Sequence, residues 1–211
     1  MIENLKEHLT LYAITDSTWL NGRTLAEVTK ESIEGGATIV QYRAKNAVKE
    51  DSLSEAKELC ALCHSYGVPF IINDDANLAV SCGADGVHVG QDDMDPKEAR
   101  KIIGSDMILG VSAHDVEEAE KAEQAGADYL GCGAIFGSST KTNVHAMTPE
   151  ILKNIAESVK IPIVAIGGIT EENLPELKGL GLAGAAVISA IFAADDVKAA
   201  AQRLRSIAET L

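Results

Sequence analysis

EQAGADYLGCG (Glu123–Gly133) reads as the end of one element and the start of another. A charged, polar segment stops at Gly126, Ala127 and Asp128 follow, and a short apolar run begins at Tyr129. Glycine is the residue that most readily takes the left-handed conformation that closes a helix. The same punctuation recurs as EGGAT (34–38), SCGADG (81–86) and GLGLAGA (179–185), each time before another short apolar run. A signal that returns at intervals of this size marks a repeated βα unit.

Working outward, apolar and β-branched runs are LYAIT (11–15), TIVQYR (38–43), PFIIN (69–73) and GVHV (86–89). The series continues with MILGVS (107–112), YLGCG (129–133), IPIVAIG (161–167) and GAAVIS (184–189). Eight strands are predicted. Helical spacing lies between them over 24–34, 51–66, 95–103, 115–125, 148–158 and 196–211. Alternation of strand and helix implies right-handed crossovers and a parallel sheet. The glycine signal precedes each even-numbered strand, and eight units carrying an every-second repeat favour a closed (β/α)8 TIM barrel over an open sheet. With no linker-like stretch, residues 1–211 read as a single TIM-barrel domain of the α/β class, its active site at the C-terminal ends of the strands.

Composition agrees with covered parallel strands: 46% of the 211 residues are hydrophobic and only 4% aromatic, so the core is made of Ala, Val, Ile and Leu. A formal charge of −14 opposes binding to nucleic acid or to an anionic membrane surface. The longest uncharged run, 179–194, is shorter than the roughly 20 residues of a membrane span. No secretory signal is visible at the N-terminus, and a cytoplasmic location is expected. CALCH (60–64) has the spacing of a haem-attachment motif, but Cys60 and Cys63 share a helical stripe with Leu53, Ala56 and Leu59, which predicts structural cysteines. Cys82 and Cys132 read as small buried residues.

In a barrel of this kind the chemistry collects after the strands. Gln41, Arg43 and Lys45 alternate along the end of the second strand and share one side, where two cations in so acidic a chain should meet an anion. Asn73, Asp74 and Asp75 follow the third strand; Gln91, Asp92 and Asp93 follow the fourth. Asp74 and Asp93 are placed to share one Mg²⁺ through oxygen ligands, while Asp75 and Asp95 read as helix N-caps. FGSSTKTN (136–143) is the longest polar loop, a candidate flap carrying Lys141. IGGIT (166–170) and VISA (187–190) offer backbone N–H groups suited to a phosphate. His88 and His114 are lone histidines, read as packed or surface groups.

Taken together, QYRAK (41–45), IINDD (71–75), GVHVGQDD (86–93), ILGVSAH (108–114), STK (139–141), IGGIT and VISA resemble the thiamine phosphate synthase family, also called thiamine-phosphate pyrophosphorylase. The resemblance implies a Mg²⁺-dependent transferase that joins hydroxymethylpyrimidine diphosphate to hydroxyethylthiazole phosphate, giving thiamine phosphate and pyrophosphate through a dissociative, carbocation route. It implies that Arg43 and Lys45 bind the phosphates of the pyrimidine substrate, with Gln41 at its ring and Asn73 and Ser112 in contact with it. It places Ser138, Thr140, Gly168, Ile188 and Ser189 on the thiazole phosphate, Lys141 on the diphosphate, and Asp74 and Asp93 on the metal. Lys45 and Lys141 are thereby the catalytic candidates. A homodimer is left open, since periodicity locates no apolar patch for one. Ala44 stands where the family usually has Glu, Ala134 where it often has Pro, and Gly137-Ser138 where Pro-Thr is common. Three rival readings are a tautomerase-like relative, a Schiff-base aldolase using Lys45 or Lys141, and a non-enzymatic sensor of pathway phosphates. Joint presence of Arg43, Lys45, Asp74, Asp93 and Lys141 opposes the first.

Overall fold

The computed structural model describes residues 4–44, 49–137 and 147–211. Eight parallel strands close into a barrel in sequence order: β1 (Leu11–Ile14), β2 (Ile39–Tyr42), β3 (Phe70–Asn73), β4 (Gly86–Val89), β5 (Ile108–Ala113), β6 (Tyr129–Cys132), β7 (Ile163–Ile166) and β8 (Gly184–Val187). All eight runs expected from sequence are strands, trimmed or extended by a few residues. Closure joins β8 to β1, with Leu11 opposite Ala185 and Ala13 opposite Val187.

Alternation divides each strand between two cores. Tyr12, Ile14, Ile39, Ile71, Ile108, Tyr129 and Val164 fill the barrel interior. Leu11, Ala13, Val40, Ile72, Val87, Val111 and Leu130 point outward and pack under the helices. Both faces are dry, which is why the runs are continuously apolar in sequence rather than alternating.

Helices α1 (Leu5–His8), α2 (Leu25–Glu34), α3 (Lys49–Ser65), α4 (Ala76–Cys82), α5 (Pro96–Ile103), α6 (Val116–Gln124), α7 (Pro149–Ser158), α8 (Ser189–Phe192) and α9 (Val197–Ala208) surround the barrel. The six helices expected from sequence correspond to α2, α3, α5, α6, α7 and α9. Helix α4 was anticipated only through Asp75 as its cap and was given no span, because seven residues, ANLAVSC, are too few to display a period. Between β7 and β8 the chain makes only a 3-10 turn, Leu174–Leu177. Asp75 caps α4 through the Leu78 N–H, and Asp95 caps α5 through the N–H groups of Lys97 and Glu98, as expected.

The glycine punctuation has the expected geometry. Gly36, Gly83, Gly126 and Gly181 all have positive φ, between 77° and 108°. In the first three, the following alanine N–H returns to a carbonyl five residues back: Ala37 to Ser32, Ala84 to Ala79 and Ala127 to Ala122. This is the hydrogen-bond pattern of a Schellman helix end. The two aspartates of the repeat add a further link. Asp85 accepts from the Phe70 N–H and Asp128 from the Leu109 N–H, so each ties the foot of an even strand to its odd neighbour.

Cys60, Cys63, Cys82 and Cys132 are buried free thiols. Burial pushes the thiol of Cys60 up to about 11 and those of Cys63 and Cys132 up to about 12. Such groups stay protonated and inert at neutral pH, in keeping with their reading as structural cysteines. No described helix is long and apolar enough to cross a membrane.

Candidate active site

A cavity opens at the C-terminal mouth of the barrel, with about 1030 Å³ of free space counted to its opening. Its wall includes every described residue that the sequence reading assigned to substrate: Gln41, Arg43, Asn73, Ser112, Gly168, Ile188 and Ser189. They come from β2, β3, β5, the turn after β7 and the start of α8. Strand ends far apart in sequence meet here because closure points them at one axis. Lys45, Ser138, Thr140 and Lys141 lie outside the described residues.

Arg43 follows β2 directly, and two groups that the sequence reading passed over position it. The Thr15 hydroxyl accepts the Arg43 N–H at 3.1 Å. Asp16 stands 3.7 Å from Nη1, a loose ion pair. The Arg43 side chain is only 7% exposed, and its Nη2 is a buried donor with no protein partner among the described residues. Burial lowers its pKa, while the nearby carboxylates of Asp16 and Asp74 act in the opposite sense. A buried guanidinium with an unused N–H face is a costly arrangement unless an anion completes it.

Two positions further in, Gln41 is buried and its Nε2 donates to the Tyr12 hydroxyl at 2.8 Å. Gln41 and Arg43 therefore face the same cavity, as their alternation predicted.

Asp74 and Asp93 stand at the ends of β3 and β4, which are paired neighbours. Asp74 holds φ 65°, an uncommon conformation for a non-glycine residue, with its N–H on the His88 carbonyl at 2.8 Å. Asp93 accepts the Gly90 N–H on Oδ2 at 2.9 Å. Neither carboxylate lines the cavity wall itself.

The IGGIT turn is held tightly. Gly167 has φ 101° and Gly168 φ 64°, and a Cβ on Gly168 would lie 2.6 Å from the Phe136 carbonyl oxygen. Ile135 and Phe136 donate to the carbonyls of Ile166 and Gly167, which seats the root of the polar loop beside this turn. Asn173, unrecognised from sequence, clamps it by donating to the Gly168 carbonyl and accepting the Thr170 N–H.

Both histidines line the cavity, but they differ in their partners. His114 pairs with Glu118 near the surface. His88 enters the barrel interior, bonded to Tyr129 and Ser112, and lines the cavity. A lone histidine in an apolar run carries no sequence signal for this, since the inward side of β4 is defined only by closure.

The sequence profile described as thiamine monophosphate synthase matches residues 11–191. The thiamine-phosphate synthase of Ruminiclostridium cellulolyticum is 47% identical over 198 residues, 94% of each chain. That of Clostridioides difficile is 48% identical over 195 residues, 92% of this chain and 93% of the other. The solved structure of thiamine phosphate pyrophosphorylase from Pyrococcus furiosus superposes with a TM-score of 0.89 at 41% identity, covering 98% of both chains. Matched along nearly its whole length in sequence and in barrel geometry, the chain belongs to the thiamine monophosphate synthase family.

Proposed function

We propose that this chain is a thiamine-phosphate synthase that joins hydroxymethylpyrimidine diphosphate to hydroxyethylthiazole phosphate and releases pyrophosphate. The observation that carries this reading is Arg43: a buried guanidinium, in a chain of net charge −14, whose Nη2 at the wall of the cavity has no partner among the described residues. A diphosphate is the ligand chemistry that completes it, through charge-assisted hydrogen bonds.

The family pattern supplies the remaining roles. Arg43 holds a phosphate oxygen while Gln41, Asn73 and Ser112 orient the pyrimidine. Gly168, Ile188 and Ser189 bind the thiazole phosphate from the opposite wall. Lys45 and Lys141 on the diphosphate, and Ser138 and Thr140 on the thiazole phosphate, are assigned by family pattern alone. The C–O bond between the pyrimidine methylene and the diphosphate breaks first, its electron pair leaving with pyrophosphate, and the thiazole nitrogen captures the resulting carbocation. No side chain serves as nucleophile; the protein orients two rings and balances departing charge in a pocket from which water is excluded.

Hard oxygen donors on adjacent strand ends fit Mg²⁺. Asp74 and Asp93 would hold it, and when bound it supplies positive charge to the departing diphosphate.

The test is to mix protein and both substrates and measure pyrophosphate with and without EDTA. Metal-dependent release is expected. Folded protein that releases none refutes the assignment, and binding without release would favour a phosphate sensor.

A further inference from the structure

Beneath the cavity, five side chains form one continuous hydrogen-bonded chain. Gln41 Nε2 donates to Tyr12 Oη, and the Tyr12 and Tyr129 hydroxyls bond each other, both at 2.8 Å. Tyr129 Oη meets His88 Nδ1 at 2.9 Å, and His88 Nε2 meets Ser112 Oγ at 3.0 Å. Both tyrosines are fully buried, and burial lifts their hydroxyls far above the ordinary range, so both remain protonated. The proposed reaction uses only the two ends of this chain.

Direction follows from counting protons. A tyrosine hydroxyl has one proton to donate, and a neutral imidazole has one donor and one acceptor nitrogen. Tyr12 Oη accepts from Gln41, so its own proton goes to Tyr129. Tyr129 then directs its proton to His88 Nδ1. Nδ1 is therefore an acceptor, the ring proton sits on Nε2, and Nε2–H faces Ser112 Oγ. With Gln41 Nε2 toward Tyr12, the reverse order would strand the Tyr12 proton in a dry interior.

We propose that Tyr12, Tyr129 and His88 are positioning residues that fix the polarity of the two ring-facing groups: the Ser112 hydroxyl is presented as a donor and the Gln41 carbonyl as an acceptor. The proposal rests on the assignment of Gln41 and Ser112 to the ring of one substrate. The site then accepts a heteroaromatic edge bearing one donor and one acceptor and rejects an edge of reversed polarity, because a mismatched edge leaves buried groups unpaired.

Two inward glycines make room for the relay. A Cβ on Gly110 would overlap the Tyr129 ring and stand 2.5 Å from His88 Nδ1. On Gly131 it would lie 3.0 Å from His88 Cε1.

The test is an ¹⁵N–¹H correlation spectrum of the imidazole rings in unliganded protein, with His88 assigned by the signal lost in His88→Gln. The expected result is a proton on Nε2 and an unprotonated Nδ1. Tyr129→Phe and Tyr12→Phe keep the ring volume and should give mixed tautomers. They should also lower kcat/KM for the pyrimidine diphosphate about 10- to 100-fold, the loss expected for one or two buried hydrogen bonds, with KM for the thiazole phosphate changed less than about twofold. A proton on Nδ1 in the unsubstituted protein overturns the proposal, as does an unchanged tautomer in both variants. If either variant fails to fold, the spectrum of the unsubstituted protein still decides. The tautomer is read without substrate, so absent pyrophosphate release would refute the assigned function and leave the relay intact.

Discussion

Replacing Arg43 by Met separates a binding role from a structural one, because the two predict different changes in stability. In the folded protein the guanidinium is nearly enclosed, and among the described residues its Nη2 has no partner and its one ion pair, to Asp16, is long at 3.7 Å. Removing an unsatisfied buried donor relieves about 1–3 kcal/mol. Losing the Asp16 pair costs about 1–3 kcal/mol, a cost limited because Asp16 keeps its hydrogen bond from the Thr18 N–H. Methionine preserves most of the apolar stem. The two terms offset, so stability should be unchanged within about 2 kcal/mol. Activity should fall steeply. Two charge-assisted hydrogen bonds to a diphosphate, at about 1.5–3 kcal/mol each, amount to about 3–6 kcal/mol, or roughly 10²- to 10⁴-fold in kcat/KM. Arg43→Lys keeps the charge but not the fork and should fall between. Pyrophosphate release and urea denaturation on the same preparations provide both readouts. A variant that loses several kcal/mol of stability, or that keeps activity within about threefold, would refute the reasoning, since Arg43 would then be holding the barrel and not an anion.

Other outcomes follow from the same geometry. Gly110→Ala should destabilise the protein by at least about 1–3 kcal/mol, because its Cβ would occupy the space of the Tyr129 ring; an unchanged melting temperature would show that the interior can yield. Asp128→Asn should cost about 1–3 kcal/mol in urea denaturation with kcat retained, because the lost carboxylate serves Arg100 and the Leu109 N–H at the foot of the barrel, opposite the cavity. For Cys60, Cys63 and Cys132 the folded pKa is raised above the ordinary thiol value of 9.0, so the stability contribution is complete below about pH 9. It is then lost as pH climbs to about 11–12. Each thiol should add a slope of up to about 1.4 kcal/mol per pH unit in that window. Combined replacement of these cysteines by alanine should flatten the slope, and a slope that survives replacement would count against burial as its cause.

The barrel was legible in the chain because its signals are local. Glycine at 36, 83, 126 and 181 supplies a backbone conformation that other residues adopt only at a cost, and each apolar run between them is long enough to report burial on both faces. Gln41 and Arg43 were legible for the same reason, since a strand alternates whatever it packs against. The 3-10 turn at Leu174–Leu177 was not, because Gly179 and Gly181 close it with the same punctuation that ends the longer helices.

What only tertiary structure decided are the relations between strands. Thr15 and Asp16 lie 28 and 27 positions before Arg43, yet closure of the sheet makes them its neighbours. Tyr12, His88 and Tyr129 look in the sequence like ordinary members of apolar runs; only the barrel axis turns them toward one another and joins them to Gln41 and Ser112. Backbone periodicity records which side of its own strand a residue takes. Whether that side meets solvent, a helix or the hydroxyl of a residue 117 positions away is set by closure, and closure is a property of all eight strands together.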